Sequence, residues 1–460
     1  MYIHPSCESF VLSDFRIVAL VGFVLDPTLQ FGNTQEILKE IATSDTIDGI
    51  FDILYKLSGR FVILIKEKER WLFFGDASGM RKLYYYHADN NLYAASDPLF
   101  FKEYTELKPS EGYEEFFTSD YYLKHPEYYL PINCTLFKDV YRLVPNHYYD
   151  SLRREQIRFY PFQDRVEVDY DWALSEFSRI LTNTISEASR RYKLAMPLTA
   201  GFDSRLLLSA SKKVINDLYF YTLKYRDLKN TSADIRIPSR ILHELDLKHN
   251  VIDCSMEPDK ELIARYNANT YLAHRIDWGK IVCNMVGQYP EDFVALKGTG
   301  AELGRKALRR MAITDDMLKQ DPFVLMEDDW LEFDVFKDSY LRWFEKTYDY
   351  ARSFGYDIVD LYYWEHRLGS WQAQSQLEWD FVQEELSPFN NRMLLDLMLK
   401  VDIKHRGAPK FEFFVKAIEL NWPFLMKFPI NPPSFKYRLR LLLKGILKKM
   451  GVLDRIKSLR

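Results

Sequence analysis

From residue 171 onward, apolar runs of strand length alternate with amphipathic runs of helix length, and this constrains the fold more than any other feature. The spacing predicts a helix over 172–192, which leads into a short apolar run directly before Leu198. Helix over 205–213, strand over 218–223, helix over 233–245 and strand over 250–252 follow. Phe293-Val294-Ala295-Leu296 is one more short buried strand, and beyond about residue 305 the chain reads as almost all helix. Strands that alternate with helices build parallel βαβ units. In such sheets ligands bind outside the carboxyl ends of the strands, so the stretches just after the strands are the first places to look for chemistry.

The first such stretch is Leu198-Thr199-Ala200-Gly201-Phe202-Asp203-Ser204-Arg205. A strand that turns through a Gly-containing loop into a helix presents backbone N–H groups and a helix N-terminus, and both attract phosphate. Asp203 sets a carboxylate beside them, suited to holding Mg2+ against the same phosphates. An ordinary strand–turn–helix connection with an Asp near the N-cap fits the octapeptide equally well.

About one hundred residues later comes Leu296-Lys297-Gly298-Thr299-Gly300-Ala301-Glu302-Leu303-Gly304. It too follows a strand, and it brings a second carboxylate, Glu302, to the same end of the sheet. A Gly-rich turn closing a strand is the plainer alternative.

Together these stretches resemble the ATP-pyrophosphatase half of asparagine synthetases. There the phosphate loop reads Ser-Gly-Gly-x-Asp-Ser and the later segment Ser-Gly-x-Gly-Ala-Asp-Glu. The resemblance implies that Thr199, Ala200, Gly201, Asp203, Ser204, Gly298 and Gly300 surround ATP, and that Asp203 and Glu302 hold Mg2+ on the pyrophosphate. Ala200 departs from the pattern, and it would be strained if the loop required φ > 0 there. Glu384-Glu385-Leu386-Ser387-Pro388-Phe389-Asn390 resembles the family's Glu-x-Arg-x-Pro-Phe-x-Asp segment, with Leu386 in place of the Arg. In ring-closing relatives a Glu at this place is the base for the attacking amine, which makes Glu384 a candidate; capping or pairing within a helical layer is the alternative. His405-Arg406-Gly407-Ala408-Pro409-Lys410 resembles the segment that delivers a catalytic Lys, so Lys410 is the candidate to stabilise charge on the acyl-adenylate and departing pyrophosphate. A surface lysine is the plainer explanation.

The first 150 residues have a different texture. Strands are expected over 15–24, 59–66, 71–75, 82–87 and 91–96, with a charged hairpin tip at Glu67-Lys68-Glu69-Arg70 and a helix over 34–57. This pattern suggests an α+β layered domain. Gly59-Arg60-Phe61, Asp76-Ala77-Ser78-Gly79 and Ala94-Ala95-Ser96-Asp97 resemble, in order, landmarks of class II glutamine amidotransferase domains. Active members attack glutamine with a Cys exposed by removal of the initiator Met. Residue 2 here is Tyr2, and Cys7 would need an unusual cleavage, so the expected domain is a glutaminase scaffold without its nucleophile. β-Lactam synthetase-like relatives share that loss.

The resemblance thus implies an N-terminal Ntn-hydrolase-like sandwich over 1–160 and an α/β ATP-pyrophosphatase (HUP-like) parallel-sheet domain with a helical C-terminal part over 165–430. Arg158-Phe159-Tyr160-Pro161-Phe162-Gln163-Asp164 is the expected hinge. The implied reaction is ATP-dependent, Mg2+-dependent formation of an amide from a small-molecule carboxylate and either ammonia or a substrate amine. A nucleotide-binding descendant without catalysis, and an asparagine synthase or amidotransferase taking ammonia from a partner, stay open beside it, as does a homodimer.

Charge and cysteines bound the rest. The net charge of −4 argues against a nucleic-acid binder. Residues 436–460 nevertheless carry five Lys, four Arg and one Asp. Leu439, Leu442, Leu443, Ile446, Met450 and Leu453 recur there at helical spacing, so 431–460 reads as a basic amphipathic helix. It suits peripheral contact with an anionic membrane, or docking on the acidic body of the chain. Four scattered cysteines without a C-x-x-C pair fit reduced thiols in a cytoplasm, and no secretory signal or spanning segment is expected.

Overall fold

The computed structural model describes residues 9–13, 16–88, 90–275, 277–305 and 313–432. The basic segment 436–460, Tyr2 and Cys7 lie outside the described residues.

The first half holds nine strands: β1 (Ser9–Ser13), β2 (Arg16–Leu25), β3 (Ser58–Glu67), β4 (Arg70–Gly75), β5 (Tyr84–Ala88), β6 (Asn91–Ala95), β7 (Val140–Arg142), β8 (His147–Asp150) and β9 (Glu155–Arg158). They form a six-stranded antiparallel sheet in the order β1-β2-β3-β4-β8-β9 and a three-stranded one in the order β6-β5-β7. The expected charged tip closes the β3–β4 hairpin, where Glu67 pairs with Arg70. One face of the large sheet (Val18, Leu20, Ile63, Phe74) packs on helices Thr34–Thr43 and Ile47–Lys56. The other face (Val62, Phe73, Tyr149) meets Leu83, Tyr85 and Leu143 beneath the small sheet. Burial on both faces explains why β2 and β3 read as near-continuous apolar runs. The single helix expected over 34–57 is two helices. Thr46 breaks it, because its Oγ1 accepts the Gly49 N–H at 3.0 Å and starts a new N-cap.

The second half is built on β10 (Lys193–Pro197), β11 (Leu218–Lys224), β12 (His249–Asp253), β13 (Phe293–Leu296) and β14 (Glu384–Leu386). All neighbouring pairs are parallel, in the order β12-β11-β10-β13-β14. The order reverses between β10 and β13. Chain leaving those two strands therefore diverges to opposite sides and opens a crevice at their carboxyl ends. Helix Tyr170–Arg191 enters this half with Asp169 as N-cap and buries Ala173, Phe177, Ile180, Leu181, Ile185 and Ala188 at helical spacing.

Two features qualify the expectation of an almost all-helical remainder. β14 adds a fifth strand, and Tyr363–Gln372 winds as a π-helix. The expected hinge is also corrected. Arg158 forks onto Glu365 with contacts of 2.5 and 2.7 Å, and the Tyr160 hydroxyl donates to Asp396 at 2.7 Å. Asp396 also accepts the hydroxyls of Tyr55 and Tyr356, so it gathers groups from both halves. One apolar cluster runs from Val18 and Leu54 through Phe177 and Leu206 to Phe414. The junction is filled and bonded, which a hinge is not. Cys134, Cys254 and Cys283 are buried free thiols. Among the described residues no helix is long and apolar enough to cross a membrane.

Candidate functional site

The crevice between β10 and β13 is lined by two loops. The first leaves β10 and enters helix Phe202–Ala210, whose N-cap, Gly201, provides no side-chain cap. The first-turn N–H groups of that helix are thus open to an anion. The loop is braced by its own polar groups and by Asp234 of the helix Ala233–Glu244. Thr199 N–H donates to Ser204 Oγ at 3.2 Å, Gly201 N–H to Thr199 Oγ1 at 3.1 Å, and Ala200 N–H to Asp234 Oδ1 at 3.0 Å. The strain expected at Ala200 is absent. Gly201 has φ −75°, and Ala200 is not among the positive-φ positions of the described residues. Ala is therefore tolerated where the resembling family has Gly.

A C-terminal strap holds this loop from behind. The Asn431 N–H donates to the Ala200 carbonyl at 2.9 Å. Arg205, fully buried, donates from Nη1 to the carbonyls of Leu425 (3.0 Å) and Phe428 (3.1 Å). Burial pushes its guanidinium down to about 10.

The second loop leaves β13 and runs alongside the first. A Cβ at Gly298 would lie 2.6 Å from the Asp203 Cβ, so only glycine lets the two loops approach this closely. Gly300, at φ +97°, packs on Phe389 and donates its N–H to Glu302 Oε2 at 3.0 Å. The segment after β14 supports this turn, with Ser387 Oγ donating to the Thr299 carbonyl. Arg406, buried, donates to the Leu303 carbonyl at 2.9 Å and fixes the far side.

The two carboxylates named from the sequence share one electrostatic environment. Burial, followed by the charge of Glu302, pushes Asp203 up to about 7, with Arg305 acting against the shift. Arg305 Nη2 donates to Asp203 Oδ2 at 2.7 Å. The same charges reach Tyr363 at the start of the π-helix. Its hydroxyl is raised by burial and by Glu302, while Arg367 and Arg305 oppose.

Among the described residues no group of three or more His, Cys, Asp or Glu side chains is placed to hold a metal. Mg2+ commonly takes only one or two carboxylates and completes its shell with substrate phosphates and water. Asp203 and Glu302 fit that habit, and Asp203 Oδ1 is buried without a hydrogen-bond partner.

The structure thus brings together Thr199, Ala200, Gly201, Asp203, Ser204, Gly298, Gly300 and Glu302. Lys410 is exposed, and its neighbour Phe411 packs its ring 5.2 Å from that of Phe202. Glu384 begins β14, a strand rather than a helical layer, and its carboxylate lies on Arg81 (2.6 Å) and Arg60 (3.2 Å) of the first half. Sequence reasoning missed Arg305, Tyr363, Asp234 and Arg406. Only Arg305 carried a signal, three residues after Glu302 on the same turn.

No protein-family model and no curated protein matches the chain. Among solved structures, it is similar to glutamine phosphoribosylpyrophosphate amidotransferase from B. subtilis, complexed with ADP and GMP. That likeness has a TM-score of 0.23 and 12% identity and covers 64% of each chain. Glutamine-dependent NAD+ synthetase from Acinetobacter baumannii, in complex with ADP, gives a TM-score of 0.22 and 8% identity over 62% of this chain and 60% of that one. The chain therefore spans less than two thirds of either structure.

Proposed function

We propose that this chain is an ATP-dependent ligase that activates a small-molecule carboxylate as its acyl-adenylate and transfers the acyl group to ammonia or a substrate amine. The observation that supports this reading is the approach of Gly298 to Asp203, which brings together the loops after β10 and β13 at the strand-order reversal, where the charge of Glu302 acts on Asp203.

A carboxylate oxygen attacks the α-phosphorus, the bond to the β-phosphate oxygen breaks, and pyrophosphate leaves. The amine nitrogen then attacks the acyl carbon, AMP departs with the C–O electron pair, and the amine loses a proton. The chain's own part is positioning and charge. The first-turn N–H groups after Gly201 and the hydroxyls of Thr199 and Ser204 take phosphate oxygens, and the Gly298–Gly300 turn lets the polyphosphate lie against the backbone. Asp203 and Glu302 would hold Mg2+, which supplies charge neutralisation on the polyphosphate when bound. Lys410, at the rim, adds positive charge as pyrophosphate forms. We assign Glu384 to joining the halves, because two guanidinium groups of the first half engage its carboxylate. On this reading residues 1–160 are an amidotransferase-like scaffold without its nucleophile, and 165–430 carry the chemistry.

Exchange of labelled pyrophosphate into ATP across a panel of carboxylates tests the reading. Exchange is expected with one chemical class of acid, and Asp203→Asn is expected to reduce it more than 100-fold. The Asp203–Arg305 pair favours a second reading, in which the nucleotide binds without adenylation. ATP binding with no exchange for any acid would select that one.

A further inference from the structure

Arg305 sits where a metal-bound polyphosphate would lie, and the way it is bonded says what it lacks. An arginine facing a carboxylate commonly makes two parallel hydrogen bonds. Arg305 makes one to Asp203, through Nη2 to Oδ2 at 2.7 Å. The second pair of atoms is left over: Arg305 Nε and Asp203 Oδ1 are both buried, and neither has a hydrogen-bond partner. The one bond thus leaves an unmet donor on Arg305 and an unmet acceptor on Asp203. The two side chains keep 20% and 27% of their surface exposed, but Nε and Oδ1 themselves are covered, so a ligand reaches them only when the Arg305 side chain turns away.

The backbone beneath Arg305 is held. Arg406 bonds the Leu303 carbonyl, and Glu302 accepts the Gly300 N–H, so the turn Ala301–Arg305 is tied on both sides. What remains free to change is the direction of the Arg305 side chain. A metal–polyphosphate satisfies both leftover atoms together: a phosphate oxygen takes the Nε–H, and the divalent cation that travels with it takes Oδ1. A bridging water meets the same two atoms but brings no net charge to either.

We propose that Arg305 is a stand-in cation. Without ligand it neutralises Asp203, and when a metal–polyphosphate arrives it exchanges that carboxylate for a phosphate oxygen and becomes a pyrophosphate ligand. This deepens the adenylation reading and rests on it for the identity of the anion. Three consequences follow from the exchange. A divalent cation alone competes with Arg305 and binds weakly. Pyrophosphate alone competes with Asp203 for Arg305 and binds weakly. Each strengthens the other, since the first to bind releases the group that the second needs.

The probes are Mn2+, followed by its electron paramagnetic resonance signal, and inorganic pyrophosphate, followed by calorimetry in EDTA. Arg305→Met is expected to bind Mn2+ about tenfold more tightly than the parent chain and pyrophosphate about tenfold more weakly. Asp203→Asn is expected to bind metal-free pyrophosphate about tenfold more tightly, because it frees Arg305; a purely structural ion pair predicts no gain. Arg305→Lys keeps the charge without the fork and is expected to recover part of the pyrophosphate affinity. Should Arg305→Met fail to fold, Arg305→Lys and Asp203→Asn decide the matter alone. Unchanged pyrophosphate affinity in Asp203→Asn, or Mn2+ affinity within twofold of the parent in folded Arg305→Met, overturns the proposal. Absence of exchange with every acid, alongside the expected Mn2+ and pyrophosphate shifts, would remove adenylation and leave the stand-in role intact.

Discussion

At the scale of single residues, the site depends on one missing side chain. Gly298 has no room for a Cβ, because the atom would lie 2.6 Å from the Asp203 Cβ and near that residue's backbone. Gly298→Ala must push the two loops apart, at a cost of about 1–3 kcal/mol for overpacking. We expect the variant to fold, with a lower urea midpoint and pyrophosphate exchange reduced at least tenfold. Full exchange in a folded Gly298→Ala protein would show that the approach of the two loops is irrelevant to turnover. Both members of this contact were legible in the sequence, since a glycine after a strand and an acid after a glycine turn each announce a backbone requirement. Arg305 was hidden for the opposite reason. Its place three residues after Glu302 was a faint signal, masked by the basic pair Arg305-Lys306, where solvated charge is the ordinary explanation; the fold reveals its carboxylate.

At the scale of elements, the alternation from residue 171 gave β10, β11, β12 and β13 within a residue or two, because each is an apolar run bounded by polar turns. β14 escaped for a physical reason. It is Glu384-Glu385-Leu386, and two acids look like solvent-facing residues. Glu385 is in fact fully buried, and Lys297, at 3.0 Å, offsets the burial that raises its proton affinity. The π-helix was equally silent, since apolar spacing does not distinguish a slightly wider turn. The element that most repays a test is the strap behind the loop that follows β10. Arg205→Met leaves the Phe428 carbonyl without its donor and the Leu425 carbonyl with only the Phe428 N–H at 3.3 Å, at a cost of about 1–3 kcal/mol. Urea unfolding should register that loss, and the Asn431 amide should exchange its hydrogen faster as the strap loosens. An unchanged Asn431 amide in the variant would mean that Arg205 and the loop contact are independent.

At the scale of the whole molecule, two sequence textures meet in one interior. The layered antiparallel half and the parallel half were distinguishable by their patterns, yet their fusion was not, because it is made by long-range pairs. Tyr55 and Tyr160 meet on Asp396, and Arg60, 2% exposed, reaches Asp380 and Glu384. Apolar packing continues across the same boundary. We therefore expect a single calorimetric unfolding transition, with the enthalpy from its shape equal to the integrated heat. Two resolved peaks would mean that the halves unfold independently in spite of these contacts.

The bond between Asn431 and Ala200 also tells an experimenter where to cut. Composition alone would trim the basic end after residue 430, one position too early. A shortened protein that stops at Pro432 retains the amide that tethers the loop after β10; one that stops at Ile430 gives it up, and any deficit it showed would be misread as the work of the tail.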